Sequence, residues 1–298
     1  MKKTEKVNNC PICNSDGFAH YLDCKDFTVS GEIFRLVQCS SCSLVVTSPR
    51  PDLNSLGAYY ASEDYISHTE TQRGLINRIY LLARRIALSR KKKIINERFS
   101  AKGQLLDYGC GTGAFLKAMS DDGWKTNGIE PDDGARRIAA KRNNQEIFTP
   151  EQMQGFKESS YDVITLWHVL EHVPEPMVAC KEFFRLLKPG GKLILALPNH
   201  LSQDAQKYRG AWAAYDVPRH LFHFNSLNIK SIGRRVGFAN VEILPMKMDA
   251  FYISWLSEQY LKHSMAPVRA FFAGLSSNLF ASNHPEKGYS SQLYILSK

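Results

Sequence analysis

The sequence predicts an α/β protein: a doubly wound, mostly parallel sheet of seven strands with helices on both faces, preceded by a small cysteine-rich module. Three observations predict it. Residues 105–116 read LLDYGCGTGAFL, an apolar run that ends in an acid and turns through three glycines into a helix. From residue 104 to 244, short apolar runs alternate with segments of helical periodicity, the pattern of parallel strands joined by crossover helices. Two matched pairs, CPIC at 10–13 and CSSC at 39–42, mark the leading module.

Each C-x-x-C sets two thiolates on one tight knuckle, and two knuckles brought together complete a tetrahedral S4 site for zinc. Cys10, Cys13, Cys39 and Cys42 are therefore expected to hold a structural zinc in a zinc-ribbon-like module over residues 1–50. The twenty-five residues between the pairs exceed the usual ribbon spacing, and a hairpin can absorb them. The start, MKKTEKVNNCP, has no apolar stretch of a secretory signal, so disulfides are not expected. Such a small module lacks a large core of its own, and the metal would stabilise it. Cys24, Cys110 and Cys180 remain as ordinary cysteines.

Residues 51–100 read as a connector and a helical segment. TSPRPDLNSLGAYYASEDY carries prolines and aromatics; from about Arg73 to Phe99, Ile76, Ile79, Tyr80, Ala83, Ile86 and Ala87 recur at helical spacing. This stripe reads as core packing that docks the ribbon and could close over a ligand. Arg84, Arg85, Arg90, Lys91, Lys92 and Lys93 form a basic run that is either a solvated helix face or a phosphate-binding patch. No aromatics interleave the lysines as a nucleic-acid groove would want.

The main domain spans residues 101–298. Strands are expected at Gln104–Tyr108, Lys125–Ile129, near Ile147, at Asp162–Leu166 and at Lys192–Ala196. Helices run from Ala114, over Asp132–Arg142 and over Met177–Leu187. Asn225 or Ser226 caps a helix that reaches Val236 and ends at Gly237, a sixth strand follows at Val241–Leu244, and Tyr289–Leu296 is the last. Residues 246–288 form an aromatic-rich insertion of helical spacing, either a helical pair over the sheet edge or a substrate lid.

Length and composition fit this plan. With 298 residues and 44% hydrophobic content the chain can bury one large α/β core plus a small appended module. No run approaches the eighteen or so apolar residues of a membrane span, and cytoplasmic residence is the expectation. Lysines and arginines exceed acids by 38 to 29, a net charge of +9, which by itself names no partner.

The glycine turn is the first candidate site. Gly109, Gly111 and Gly113 remove Cβ atoms where the backbone turns tightly against a ligand. With Ala114 they also satisfy the G-x-G-x-x-G/A pattern of dinucleotide-binding folds. Glu130 ends the next apolar stretch, twenty-three positions after Asp107, where an acid grips a ribose. Further on come YDVITLWHVLEHVPEP at 161–176 and LLKPGGKLILALPN at 186–199. On these motifs, in this order, the chain resembles the class I S-adenosylmethionine-dependent methyltransferases, and most closely the subgroup with D-x-G-C-G-x-G, LEH and PRH segments. The likeness covers about residues 101–245 and the last ten.

The resemblance implies a Rossmann-like methyltransferase fold with an antiparallel last strand, and S-adenosyl-L-methionine as cofactor. Asp107, Gly109, Cys110, Gly111, Gly113, Glu130, Pro131, Asp132, Trp167 and His168 would then line its site. Asp107 would orient the loop or the cofactor's amino group, Glu130 would accept the two ribose hydroxyls, and Trp167 and His168 would flank the methionine part. Many relatives carry an acid after the third strand where this chain has Phe148 to Gln152, so adenine recognition falls to backbone near Thr149 to Gln152 or to Asp132.

For a general base, His168, His172, His220 and His223 are available, because histidine titrates near neutrality. His220, in DVPRHLFHF, is the leading candidate and His168 the second; Arg219 and His220 could equally be anchors of that loop, and His172 looks architectural. No acid cluster for a catalytic magnesium follows the fourth strand. The expected reaction is methyl transfer to a small-molecule acceptor, such as a sugar, a lipid-linked glycan or a quinone-like compound. The alternatives are an RNA methyltransferase, for which nucleic acid would be the partner, and a silent cofactor-binding scaffold. Against the scaffold stand the intact glycines and Glu130. The oligomeric state is not legible.

Overall fold

A computed structural model describes residues 3–60 and 75–298, with side chains from residue 85 onward in the second stretch. The latter part of the predicted connector, and Ile76, Ile79, Tyr80, Ala83 and Arg84 as side chains, lie outside the described residues. Two compact units make up the chain: Met1–Ile66, His168–Lys181 and Leu195–Leu296 form one, and Ser67–Trp167, Glu182–Ile194 and Ser297–Lys298 the other.

The strands in chain order are β1 (Thr4–Glu5), β2 (Phe18–Lys25), β3 (Ile33–Cys39), β4 (Val45–Thr47), β5 (Arg50–Pro51), β6 (Gln104–Tyr108), β7 (Lys125–Ile129), β8 (Ile147–Phe148), β9 (Tyr161–Trp167), β10 (Leu187–Pro198), β11 (Phe222–His223), β12 (Asn240–Pro245) and β13 (Ser291–Ser297). The helices are α1 (Leu53–Leu56), α2 (Leu75–Asn96), α3 (Ala114–Ser120), α4 (Asp133–Asn143), α5 (Pro176–Leu186), α6 (Gln203–Tyr208), α7 (Ser226–Val236), α8 (Asp249–Tyr260) and α9 (Ala266–Asn283).

Seven strands form the expected sheet, in the order β12-β13-β10-β9-β6-β7-β8. β6 runs parallel to both β7 and β9, and β7 parallel to β8. β13 is antiparallel to β10: Gly190 N–H donates to the Lys298 carbonyl and Asn199 N–H to that of Ser290. Strand order reverses between β6 and β9, the switch point at which open α/β sheets take their ligands.

In the unit that carries β6 to β9, Leu105, Leu106, Val163, Ile164 and Leu166 are wholly buried, as strands covered on both faces must be. Gly128 on β7 lets α3 lie close, since a Cβ there would come within 2.5 Å of Leu116 Cδ1. α4 begins where Asp132 accepts the Ala135 N–H at 2.7 Å. β10 is longer than the expected Lys192–Ala196, because it starts where α5 ends.

The other unit corrects the reading of DVPRHLFHF as loop. Phe222 and His223 form β11, pair antiparallel with Val46 and Val45, and make the fourth strand of a sheet ordered β11-β4-β3-β2. The cysteine module packs into a shared core: Cys24, Phe34, Leu36 and Val45 lie in one buried cluster with Trp212, Tyr215 and Val217. The insertion is a helical hairpin, α8 and α9, with Gly274 admitting the Phe251 ring where a Cβ would stand 2.7 Å from it. Among the described residues, no helix is long and apolar enough to cross a membrane.

Candidate functional site

The turn after β6 is built by its glycines. Gly109, Gly111 and Gly113 have φ of 76°, 54° and 74°, in the left-handed region that favours glycine. A Cβ on Gly113 would collide with Asn143 Nδ2 at 2.4 Å and with the Ala139 backbone, whereas one on Gly111 would meet nothing within 4 Å. Gly113 therefore serves packing, and Gly111 faces open space.

The amides of this turn are already engaged, which separates it from a phosphate cradle. Gly109 and Cys110 N–H both donate to the Ile129 carbonyl, and Gly113 N–H to that of Cys110. Gly111 N–H donates to Glu130 Oε2 at 2.7 Å, and Asp132 N–H to Oε1 at 3.0 Å. Glu130 is thus clamped, 8% exposed, with both oxygens oriented and further lone pairs left to accept hydroxyls. Burial pushes its carboxyl up, against the pull of those two backbone donors. Pro131 follows at the surface and offers its carbonyl to Arg136.

Asp107 closes the floor of the same unit. It is buried and accepts the Thr165 hydroxyl at 2.6 Å. Burial lifts its carboxyl to about 7, even with Thr165 and the Lys91 ammonium working the other way. Cys110 is buried too, its thiol pushed up by burial. Trp167, at the end of β9, packs edge-on against Phe115, and its buried Nε1 has no hydrogen-bond partner. Lys91 Nζ stands 4.3 Å over the Trp167 ring.

Lys91 is the residue that sequence reasoning did not single out: it was one of a basic run. Within that run Lys92 pairs with Asp122 at 3.1 Å and Lys93 with Glu97 at 3.6 Å, while Arg85, Arg90 and Lys93 stay exposed. Of the adenine candidates, the Thr149 N–H donates to the Gln152 side chain at 2.7 Å, and Asp132 is occupied as the α4 cap.

The histidines gather in the other unit, around Glu171. His168, at φ 58°, sets Nδ1 3.7 Å from Glu171 and Nε2 3.3 Å from Asp249. Burial works against its charge, but Asp249 and Glu171 outweigh burial and hold the imidazole at about 9. His172 is taken down to about 4 by burial and by His220, and its Nδ1 lies 2.9 Å from the Tyr60 hydroxyl and 3.1 Å from the Arg219 carbonyl. His223 bonds the Thr47 hydroxyl, and burial lowers its pKa.

His220 differs from these. Its Nδ1 lies 2.9 Å from the Ala214 carbonyl, to which it donates, so that Nε2 points the other way. Nε2 is 4.0 Å from Glu171 and 3.9 Å from Asp216. Arg219, by contrast, is an anchor: it is buried, donates to Asp216 at 3.0 Å and to the Tyr59 carbonyl at 2.8 Å. Glu171 is buried with neither oxygen hydrogen-bonded, although the three histidines hold its carboxyl low against the effect of burial. Glu171, His172 and His220 offer ligand atoms within 4.8 Å of one another. One carboxylate and two imidazoles suit a softer divalent ion than magnesium, and no such set was visible along the chain.

The four module cysteines converge as expected, with all four sulfurs within 4.8 Å of one another. Cys10 and Cys42 Sγ are 3.4 Å apart, and Cys13 and Cys39 3.5 Å. A tetrahedron with 2.3 Å metal–sulfur bonds has edges of about 3.8 Å, so the set fits zinc. The two knuckles repeat each other: Cys10 N–H donates to Ser15 and Cys39 N–H to Leu44, and the residues after the second cysteines, Asn14 and Ser43, have φ of 63° and 59°.

A seven-stranded α/β sheet, a glycine turn with engaged amides and a clamped carboxylate one strand on belong to a fold of the methyltransferase class. The profile of the methyltransferase-domain family matches residues 77–243, more than half of the chain, and the chain belongs to that family. At its N-terminus the chain carries a zinc-ribbon-like module of four cysteines.

Among curated relatives, the ubiquinone biosynthesis O-methyltransferase of Pseudomonas paraeruginosa is 36% identical over 115 residues, 35% of this chain and 49% of that protein. Its namesake from Idiomarina loihiensis is 29% identical over 103 residues, 32% of this chain and 42% of that one. The chain thus spans about half the length of these relatives. Of solved structures, a SAM dependent methyltransferase from Archaeoglobus fulgidus aligns with a TM-score of 0.52 at 18% identity, covering 72% of this chain and 94% of that one. Haemonchus contortus phosphoethanolamine N-methyltransferase 2, in complex with S-adenosyl-L-methionine, also gives 0.52, at 15% identity, covering 95% of this chain and 68% of that one. Both likenesses are of fold.

Proposed function

We propose that this enzyme methylates a hydroxyl of a small organic acceptor, with His220 as the general base. The observation that carries the reading is the His220 geometry: Nδ1–H rests on the Ala214 carbonyl, so Nε2 is the nitrogen left to exchange a proton. Glu171 and Asp216 then stabilise the imidazolium that forms. His168, held protonated, and His172, bonded to Tyr60, are poorer bases.

S-Adenosylmethionine, when bound, supplies an electrophilic methyl on a sulfonium. Glu130 accepts the ribose hydroxyls, Gly109 to Gly113 lie along the nucleoside, and Asp107 takes the amino group. Lys91, over Trp167, suits the carboxylate. The four cysteines hold zinc as a structural ion, because no ligand position is left open for chemistry. The oxygen acceptor is supported by the O-methyltransferase relatives.

Incubation with methyl-labelled cofactor and a cell extract separated into RNA, protein, lipid or glycan, and small molecules tests this. Label in a base-stable ether of the small-molecule or glycan fraction is the expected result. Label confined to RNA refutes it.

A further inference from the structure

The α8–α9 hairpin is apolar on the wrong side for a helix pair that only covers a core. Along α9 the buried residues are small: Ala270, Ala273, Gly274, Ser277 and Ala281. The large apolar side chains face out, with Val268 51%, Phe271 54%, Phe272 62%, Leu275 38% and Leu279 58% exposed. Their spacing of three, four and seven places them on one arc of the helix, opposite the buried one. On α8, Tyr252 and Trp255 are exposed to 48% and 39%. Isolated exposed apolar residues need no explanation, but a continuous stripe with adjoining aromatics marks an interaction surface.

We propose that this face rests on the surface of an anionic phospholipid bilayer. The charges around it select that occupant. Between residues 246 and 283 the acids are Asp249 and Glu258, and neither is presented: Asp249 lies against His168, and Glu258 is wholly buried and bonded to Tyr208. Lys247 and Lys262 are exposed, and Arg269, half exposed, flanks the stripe while its Nε donates to Glu258 at 2.8 Å. An apolar face whose exposed lysines, Lys247 and Lys262, outnumber the exposed acids between residues 246 and 283 is the pattern of a helix that lies in the headgroup region, with tryptophan and tyrosine at its edge. A second copy is a poorer occupant, because a two-fold contact would set these same cations against each other.

The test is flotation of the full-length protein with vesicles of phosphatidylglycerol and phosphatidylcholine in equal parts, against phosphatidylcholine alone. The protein should float with the anionic vesicles and much less with the neutral ones. Phe271→Ser with Phe272→Ser should weaken binding at least tenfold, and Lys262→Gln about fivefold, the worth of one cation at such a surface. Circular dichroism and calorimetric cofactor binding, both expected to match wild type, would show that these variants fold. Failure of the wild type to float with anionic vesicles overturns the proposal, as does binding that the Phe271→Ser, Phe272→Ser variant leaves unchanged. A dimer in sedimentation that this variant dissociates would give the face to a second copy instead. None of these outcomes depends on the acceptor proposed above.

Discussion

Replacing Glu130 with alanine should cost this enzyme its cofactor far more than its fold. The carboxylate is held by the Gly111 and Asp132 N–H groups at 2.7 and 3.0 Å, so its remaining lone pairs are fixed in direction before any ligand arrives. A hydrogen bond to a charged group contributes about 1.5–3 kcal/mol. Two ribose hydroxyls on one carboxylate, taken at the lower end, give about 3 kcal/mol, or roughly 150-fold in Kd. The backbone donors lose their acceptor as well, but the emptied site admits water to them. Glu130→Gln keeps one carbonyl oxygen and turns its amide NH2 toward a backbone N–H, so it should fall between, near tenfold. Calorimetry with S-adenosylhomocysteine, which binds without reacting, measures both. A folded Glu130→Ala protein whose Kd stays within threefold of wild type would refute the ribose assignment.

Four further outcomes follow from the geometry. His220→Asn should lower kcat by about 100-fold or more and flatten the acidic limb of its pH profile, as expected for loss of a general base; an unchanged profile removes His220 from that role. Asp107, at about 7 in the folded protein against an ordinary 3.8, makes the native state the better proton binder between those values, so stability falls as pH rises from 4 to 7 and then levels. Asp107→Asn should abolish that fall, up to about 1.4 kcal/mol per pH unit, in urea titrations of the ligand-free protein. Cys39→Ser should remove one zinc per chain in metal analysis and lower Tm by about 5–10 °C. Gly113→Ala should be poorly folded or insoluble, since it combines a φ of 74° with a collision against the Ala139 backbone.

What could be read along the chain was what local chemistry encodes. Strands β6, β7 and β9 are buried on both faces and so are continuous apolar runs, and the three glycines announce positive φ at the turn. The place of Glu130 just past β7 was legible because an apolar run ends there. The cysteines were legible because each knuckle is closed within six residues. The histidine cluster was not: Glu171 and His220 are separated by forty-eight residues of sequence, and a two-residue strand such as β11 has no period to detect. Lys91 was hidden for another reason, since in a run of like charges nothing local tells which one turns inward.

β11 also gives the cysteine module a role that its metal chemistry alone does not. The Cys39 knuckle ends β3, which pairs with β4, and β4 pairs with Phe222 and His223. At the end of β4 the Thr47 hydroxyl donates to the His220 carbonyl at 2.7 Å, and Thr47 N–H to that of Leu221 at 3.1 Å. Leu221 N–H in turn donates to the Glu171 carbonyl at 2.9 Å. On the other side of the knuckles, the Asn228 amide that completes the α7 capping box donates to the Cys42 carbonyl at 2.8 Å. The segment from His220 to Asn228 is thus strapped at both ends to the sheet that the four cysteines organise. Loosening the metal site would therefore act on the orientation of His220 as well as on global unfolding, and Cys39→Ser assayed well below its lowered Tm should lose activity while still folded.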